Sequence, residues 1–138
     1  MNDKELIKNK LFQSTQEDDY IKMLGLEFIE IKPGYAKSRI KFSKKLCNPY
    51  NSIHGGCLYS IADITAGYAA CGYGFYVTTI SGNMNYVRPA TNSEFIYCEA
   101  KVVRQGRKVC VYNVELFDDN NELLQNGSFN FYVMSKEV

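Results

Sequence analysis

Apolar and polar positions alternate along this chain with two different periods, and the change of period sets the order of the elements. Leu58, Ile61, Ala62, Thr65, Ala66 and Ala69 recur at helical spacing and form one mostly apolar face. His54-Gly55-Gly56 opens that helix and Gly72-Tyr73-Gly74 closes it. Upstream, Asn2 or Asp3 can cap a helix running to about Gln13, with Leu6, Ile7, Leu11 and Phe12 inward. Thr15 is read as the cap of a short second helix carrying Tyr20, Ile21 and Leu24, released at Gly25. Leu26 to Ile31 and Ala36 to Phe42 are strand-like and flank the turn Lys32-Pro33-Gly34-Tyr35. Ser43 to Ile53 is a loop with Pro49.

Four strand candidates follow the long helix. Phe75 to Arg88 stops at Pro89, and Glu94 to Arg104 and Arg107 to Phe117 flank Gln105-Gly106. Asp118-Asp119-Asn120-Asn121 is the next turn, and Glu122 to Met134 is the last strand. Strands joined by short turns must be mainly antiparallel. The pattern predicts one α+β domain over residues 1–138, with a helical segment over about 1–24. A curled antiparallel sheet wraps around one long central helix, and its alanines let the sheet approach closely. That architecture is similar to the hotdog fold.

Composition narrows the partners. The chain has 138 residues, 46% hydrophobic, with a formal net charge of +1, so it can build a core and has no electrostatic reason to seek nucleic acid or an anionic membrane. The polar start MNDKELIKNK has no apolar signal-peptide core, and no stretch approaches the roughly 18 apolar residues of a membrane span. A cytoplasmic protein is expected. Five cysteines without C-x-x-C spacing and a single histidine argue for reduced thiols and against a metal site. Nothing points to a cofactor.

The candidate chemistry lies on the long helix. Asp63 falls roughly 130° from the middle of the apolar face, on the side of Gly56, Ser60, Gly67 and Ala70. His54 precedes Asp63 by nine residues, about 13 Å along a helix. The two cannot serve one substrate atom from the same chain, so a shared site in a two-fold dimer is expected if both are catalytic. A helix start offers free N–H groups and a favourable dipole, and Gly55 and Gly56 leave it open to a ligand oxygen. Asn48 could add an amide donor, His54 could donate to a leaving atom or orient its neighbours, and Asp63 of a partner could deprotonate a water. Together these parts describe acyl transfer to water. Against this stand plainer roles: His54 as a turn residue, Asp63 bonding a backbone amide, and Cys57 as either packing or an alternative thiolate nucleophile.

Asn48, His54-Gly55-Gly56 and Asp63 resemble the N-x5-HGG-x6-D signature of PaaI-like (phenylacetate-pathway type) hotdog acyl-CoA thioesterases. Leu24-Gly25-Leu26, Gly34-Tyr35-Ala36, the run Asn83 to Ala90 and Val103 to Arg107 extend the similarity over nearly the whole chain. The resemblance implies that Gly55 N–H, helped by Asn48, polarises the thioester carbonyl, with His54 beside them. Asp63 of the other protomer would be the general base or the nucleophile. Thr79 stands where the family has a Ser or Thr assisting that aspartate's water, with Thr78 adjacent. Asn51 replaces a family glycine, and asparagine tolerates positive φ. Further implied are an acyl-CoA substrate and a homodimer or dimer-of-dimers homotetramer.

Substrate contacts are expected at Gly56, at Tyr59 and the aromatics near Tyr73 to Tyr76, and, for the phosphates, at Arg88, Arg104, Arg107 and Lys108. Arg107 and Lys108 read equally as a solvated hairpin tip. The nature of the acyl group is left open. Competing functions are a hotdog dehydratase or hydratase, which pairs its residues at other spacings, and a non-catalytic acyl-CoA-binding module.

Overall fold

The computed structural model describes residues 2–138; Met1, the first residue of the expected domain, lies outside them. Asn2 caps α1 (Asp3–Glu17), its side chain accepting the Glu5 N–H at 2.8 Å. The cap of α2 (Asp19–Leu24) is Asp18, which accepts the Ile21 N–H at 3.0 Å. Thr15 is therefore not a cap. It lies buried in the last turn of α1, where its hydroxyl donates to the Phe12 carbonyl at 2.7 Å. A threonine whose hydroxyl bonds back into its own helix satisfies itself there and has none to spare for the next. Gly25, at φ 71°, ends α2 by donating to Ile21 and Lys22.

Strands β1 (Leu26–Lys32) and β2 (Tyr35–Lys41) form the first hairpin. Pro33 followed by Gly34 at φ 77° builds its tight turn, and the Gly34 N–H donates to the Ala69 carbonyl near the end of the long helix. A short 3-10 turn, Lys44–Leu46, leads to that helix, α3 (Gly55–Cys71). Then come β3 (Phe75–Tyr86), β4 (Phe95–Gln105), β5 (Val109–Phe117) and β6 (Leu123–Glu137). One antiparallel sheet of six strands results, in the order β1-β2-β4-β5-β6-β3. The last strand outruns its expected end at Met134 because β3 continues to pair with it as far as Phe75 opposite Glu137.

The core lies between α3 and the inner face of the sheet. Leu58, Ile61, Ala62, Ala66 and Ala69 meet Tyr112, Val114, Leu116, Phe129 and Phe131, all buried. Inside it, the Ser38 and Thr65 hydroxyls bond to each other at 2.7 Å, so neither is left unpaired.

Strand β3 is the sheet's uncovered edge. Its neighbour on one side is β6, and among the described residues no strand pairs with the other side. It is twelve residues long with no charge and no proline, and it leaves Ile80 55% exposed. The opposite edge, β1, is shorter, carries Glu27, Glu30 and Lys32, and has α1 packed beside it. An open, uncharged edge is a template for another strand.

Along β3 the ladder slips twice, between Phe75 and Val77 and again between Thr79 and Ser81. Thr79 pairs with Phe131 and Ser81 with Asn130, leaving Ile80 as an unpaired bulge. Before the bulge, Val77 and Thr79 face the helix; after it, Gly82, Met84 and Tyr86 do. Ser81 and Asn85 turn outward to Asn130 and Asn126. If the same twelve residues ran as a regular strand with no bulge, only one of the two groups would face α3.

Candidate functional site

Two clusters form on α3, one at its start and one at its middle. At the start, His54 is the N-cap residue, yet its side chain makes no capping bond and is exposed. The first intrahelical bond runs from Leu58 N–H to the His54 carbonyl, so the N–H groups of Gly55, Gly56 and Cys57 remain outside the helix ladder. A Cβ on Gly56 would meet nothing within 4 Å; the approach to these amides is open.

Asn48 is held beside them by its own loop. Its Oδ1 accepts from Tyr50 N–H at 2.9 Å, Ser52 N–H at 3.3 Å and the Ser52 hydroxyl at 3.2 Å. Backbone N–H groups can only donate, which fixes the carbonyl end of the amide in the loop and leaves the NH2 end for a ligand. Asn51 at φ 62° makes that loop possible, in the left-handed conformation expected where the family has glycine. Asn48 and Gly55 line a cavity of about 300 Å³ with Arg88 and Gln125. Tyr86 closes one side by donating to the Gly55 carbonyl at 3.2 Å.

At mid-helix, Asp63 is half-buried and accepts a 2.7 Å hydrogen bond from the Thr79 hydroxyl. A short O–H to carboxylate bond of this kind is among the stronger ones. It distinguishes Thr79 from Thr78, which faces the other side of β3. Asp63 and Thr79 line a second cavity, about 240 Å³, with Ser14, Tyr68, Tyr76 and Phe131. Asp63 lines one cavity and Gly55, the neighbour of His54, lines the other, while His54 itself lines neither.

The remaining expected residues divide. Arg88 lies on the helix-start cavity, where it pairs with Glu122 at 2.8 Å. Arg104, Arg107 and Lys108 belong to the β4–β5 hairpin, which meets the other end of α3: Val102 N–H donates to Gly34, itself bonded to Ala69. The structure does not bring these three to Arg88 within one chain. Tyr59 packs edge-on against Phe129, with its hydroxyl over Gly82, and lines neither cavity; Tyr76 does line the Asp63 cavity. Burial pushes the Cys57 thiol above the ordinary range, which weighs against a thiolate nucleophile there. Among the described residues no three His, Cys, Asp or Glu side chains are grouped to hold a metal, and no helix is long and apolar enough to cross a membrane.

Sequence reasoning missed Ser14, Tyr68, Tyr86 and Gln125. Tyr68 carried a usable signal. It stands five residues after Asp63 on the less apolar side of α3, and its hydroxyl reaches Ser14 of α1 at 3.0 Å.

Residues 50–125 match the family model of the thioesterase superfamily. Over 133 residues the chain is 27% identical to a putative esterase of Archaeoglobus fulgidus, covering 96% of this chain and 84% of the relative. It is 26% identical over 107 residues to the acyl-coenzyme A thioesterase PaaI of Escherichia coli, covering 78% of this chain and 76% of that one. The solved structure of E. coli PaaI matches with a TM-score of 0.88 at 22% identity, over 95% of this chain and 98% of the other. A Streptococcus mutans protein solved with acetyl-CoA bound matches at 0.78 and 19% identity, over 82% and 91% of the two chains. These structural likenesses establish the hotdog fold.

Proposed function

This chain belongs to the thioesterase superfamily, as a PaaI-like hotdog thioester hydrolase, and from that membership we propose that it hydrolyses acyl-CoA at a site shared by two protomers. What supports this most is the 2.7 Å bond from Thr79 to Asp63 beside the uncovered edge of the sheet. An antiparallel two-fold pairing of β3 with its copy runs the Thr79 end of one strand beside the Tyr86 end of the other. Tyr86 touches Gly55, so this pairing carries one protomer's Asp63 towards its partner's helix start. It also turns the far end of one α3, with Arg104, Arg107 and Lys108, towards the site that holds the partner's Arg88.

In the proposed reaction the Gly55 N–H and the Asn48 amide hold the thioester carbonyl oxygen of one acyl-CoA. Asp63 and Thr79 of the other protomer hold a water. The water oxygen attacks the carbonyl carbon while its proton passes to Asp63. The tetrahedral oxyanion rests on the helix-start donors. Its collapse breaks the C–S bond, and the departing sulfur takes a proton from Asp63 or from the neighbouring His54. A free acid and the CoA thiol result. Direct attack by the Asp63 carboxylate is the alternative, and oxygen-18 incorporation into Asp63 during a single turnover separates the two. No cofactor is needed. We place the protein in the cytoplasm as a homodimer or, as the family resemblance suggests, a pair of dimers.

Release of free thiol from a panel of acyl-CoA esters tests the proposal. Turnover of at least one ester is expected. Binding without thiol release from any of them would favour the non-catalytic module.

A further inference from the structure

Among the described residues two buried side-chain polar atoms lack a hydrogen-bond partner: Arg39 Nε, which keeps an ion pair with Glu27 at 3.5 Å, and Gln125 Oε1, which has no such compensation. Among the described residues five polar side chains are buried: Thr15, Ser38, Ser52, Thr65 and Gln125. Thr15 bonds Phe12, Ser38 bonds Thr65, and Ser52 bonds Asn48. Gln125 is 1% exposed, and its Oε1 has no hydrogen-bond partner. An unmet buried carbonyl is costly, so such an atom calls for a partner that arrives from outside.

Its position shows where that partner sits. On β6 the side chains of Phe129 and Phe131 face the helix, and the alternation of a strand puts Gln125 and Gly127 on the same face. A core position in that row is expected to be apolar. Here it is a glutamine, beside a glycine whose added Cβ would overlap the Asn83 carbonyl oxygen. Gln125 pairs through its backbone with Tyr86, the residue that touches Gly55, and it lines the cavity of Asn48, Gly55 and Arg88. The cavity therefore has donors on one wall, the helix amides and the Asn48 NH2, and on another the glutamine whose buried Oε1 is unpaired.

We propose that Gln125 is a specificity-determining residue of the helix-start site, its Oε1 accepting a hydrogen bond from a donor on the bound thioester. The proposal rests on the thioesterase assignment of that site. Two sources carry such a donor close to a thioester: a hydroxyl on the acyl group, and the first amide N–H of the pantetheine arm. Either one completes the glutamine, and a ligand that lacks the donor leaves it buried and unpaired.

The test compares the wild type with Gln125→Met, which keeps length and volume but removes the acceptor. 3-Hydroxybutyryl-CoA and butyryl-CoA serve as a matched pair, read by kcat/KM and by calorimetric binding. If the acyl hydroxyl is the donor, the wild type prefers the hydroxylated ester by about ten- to hundredfold, and Met brings the ratio towards one. If the pantetheine amide is the donor, Met lowers kcat/KM for both esters by a similar factor and leaves their ratio unchanged. Values within twofold of wild type for both esters, in both assays, overturn the proposal. The ligand-free melting temperature gives a further check. Removing an unpaired buried carbonyl should raise it, whereas a fall means that Gln125 is bonded structurally and counts against the proposal. Gln125→Leu repeats the comparison should the Met variant fail to fold. A wild type that binds both esters but hydrolyses neither refutes the thioesterase assignment, while the binding ratio still decides the role of Gln125.

Discussion

Replacing Asp63 by asparagine separates the carboxylate's chemistry from its architecture. Thr79 donates to Asp63 Oδ1 at 2.7 Å, and an asparagine Oδ1 accepts the same bond. Side-chain volume barely changes, and the half-buried position gives the new NH2 group access to water. The fold should therefore lose no more than about 1 kcal/mol, within the range for substitutions that leave burial and pairing intact. Basicity is what disappears. General-base catalysis contributes about a hundredfold to ten-thousandfold, which at 1.36 kcal/mol per decade is roughly 3 to 5 kcal/mol of barrier. The variant should bind acyl-CoA nearly as the wild type does and lose at least about a hundredfold in kcat. Thr79→Val provides the graded control. It removes one charge-assisted bond from a carboxylate that keeps its base and part of its hydration, so a loss of about tenfold in kcat is expected. Steady-state thiol release and calorimetry measure both variants. An Asp63→Asn enzyme within threefold of wild-type kcat would refute the reasoning and make the aspartate purely structural.

Other perturbations reach different parts of the argument. Asn48→Asp keeps the oxygen that Tyr50 and Ser52 need but removes the donating NH2, so kcat should fall by about ten- to thousandfold with the loop intact by hydrogen exchange. Ile80→Lys puts a charge on the open edge of β3 and should yield monomers in sedimentation velocity, with activity lost in proportion. Burial pushes the Cys98 thiol up to about 12 and the Cys71 thiol up to about 11, against 9.0 unperturbed. Unfolded chains ionise these thiols first, so stability is complete below pH 9.0 and lost as pH rises towards those values, by up to about 1.4 kcal/mol per pH unit for each thiol. Urea midpoints from pH 8 to 11 should show that decline, and Cys98→Ala should make it shallower. Gly127→Ala should destabilise by about 1 to 3 kcal/mol or more, because its methyl would overlap the Asn83 carbonyl.

Much of this was legible from residue order. The apolar stripe on α3, the Pro33-Gly34 turn and the strand periods specify an antiparallel sheet around a helix, because each is a local pattern with one tertiary solution. Gly55 and Asp63 could be singled out because open or charged positions stood in an otherwise apolar helix, and Asn48 by its spacing to them. The boundary between α1 and α2 was misread because Thr15 and Asp18 are both good caps, and only the fold shows that the threonine is buried. The placement of Arg104, Arg107 and Lys108 at the far end of α3 depends on strand order, which no local signal carries. Gln125 was invisible for a related reason. It reads as an ordinary polar strand residue until the register puts it in a row with Phe129 and Phe131.

The unpaired Ile80 gives β3 two reading frames. Odd-numbered residues before it and even-numbered residues after it address the same helix, the first set meeting Asp63 and the second meeting the helix start. Deleting Ile80 would repair the ladder and leave every pair in place, with Thr79 against Phe131, Ser81 against Asn130 and Gly82 against Phe129. Gly82, Met84 and Tyr86 would still face the helix beside Val77 and Thr79. Position 80 is thus where the strand can shed a residue without changing which side chains meet α3. A regular strand that kept all twelve residues would instead turn one of the two sets outward.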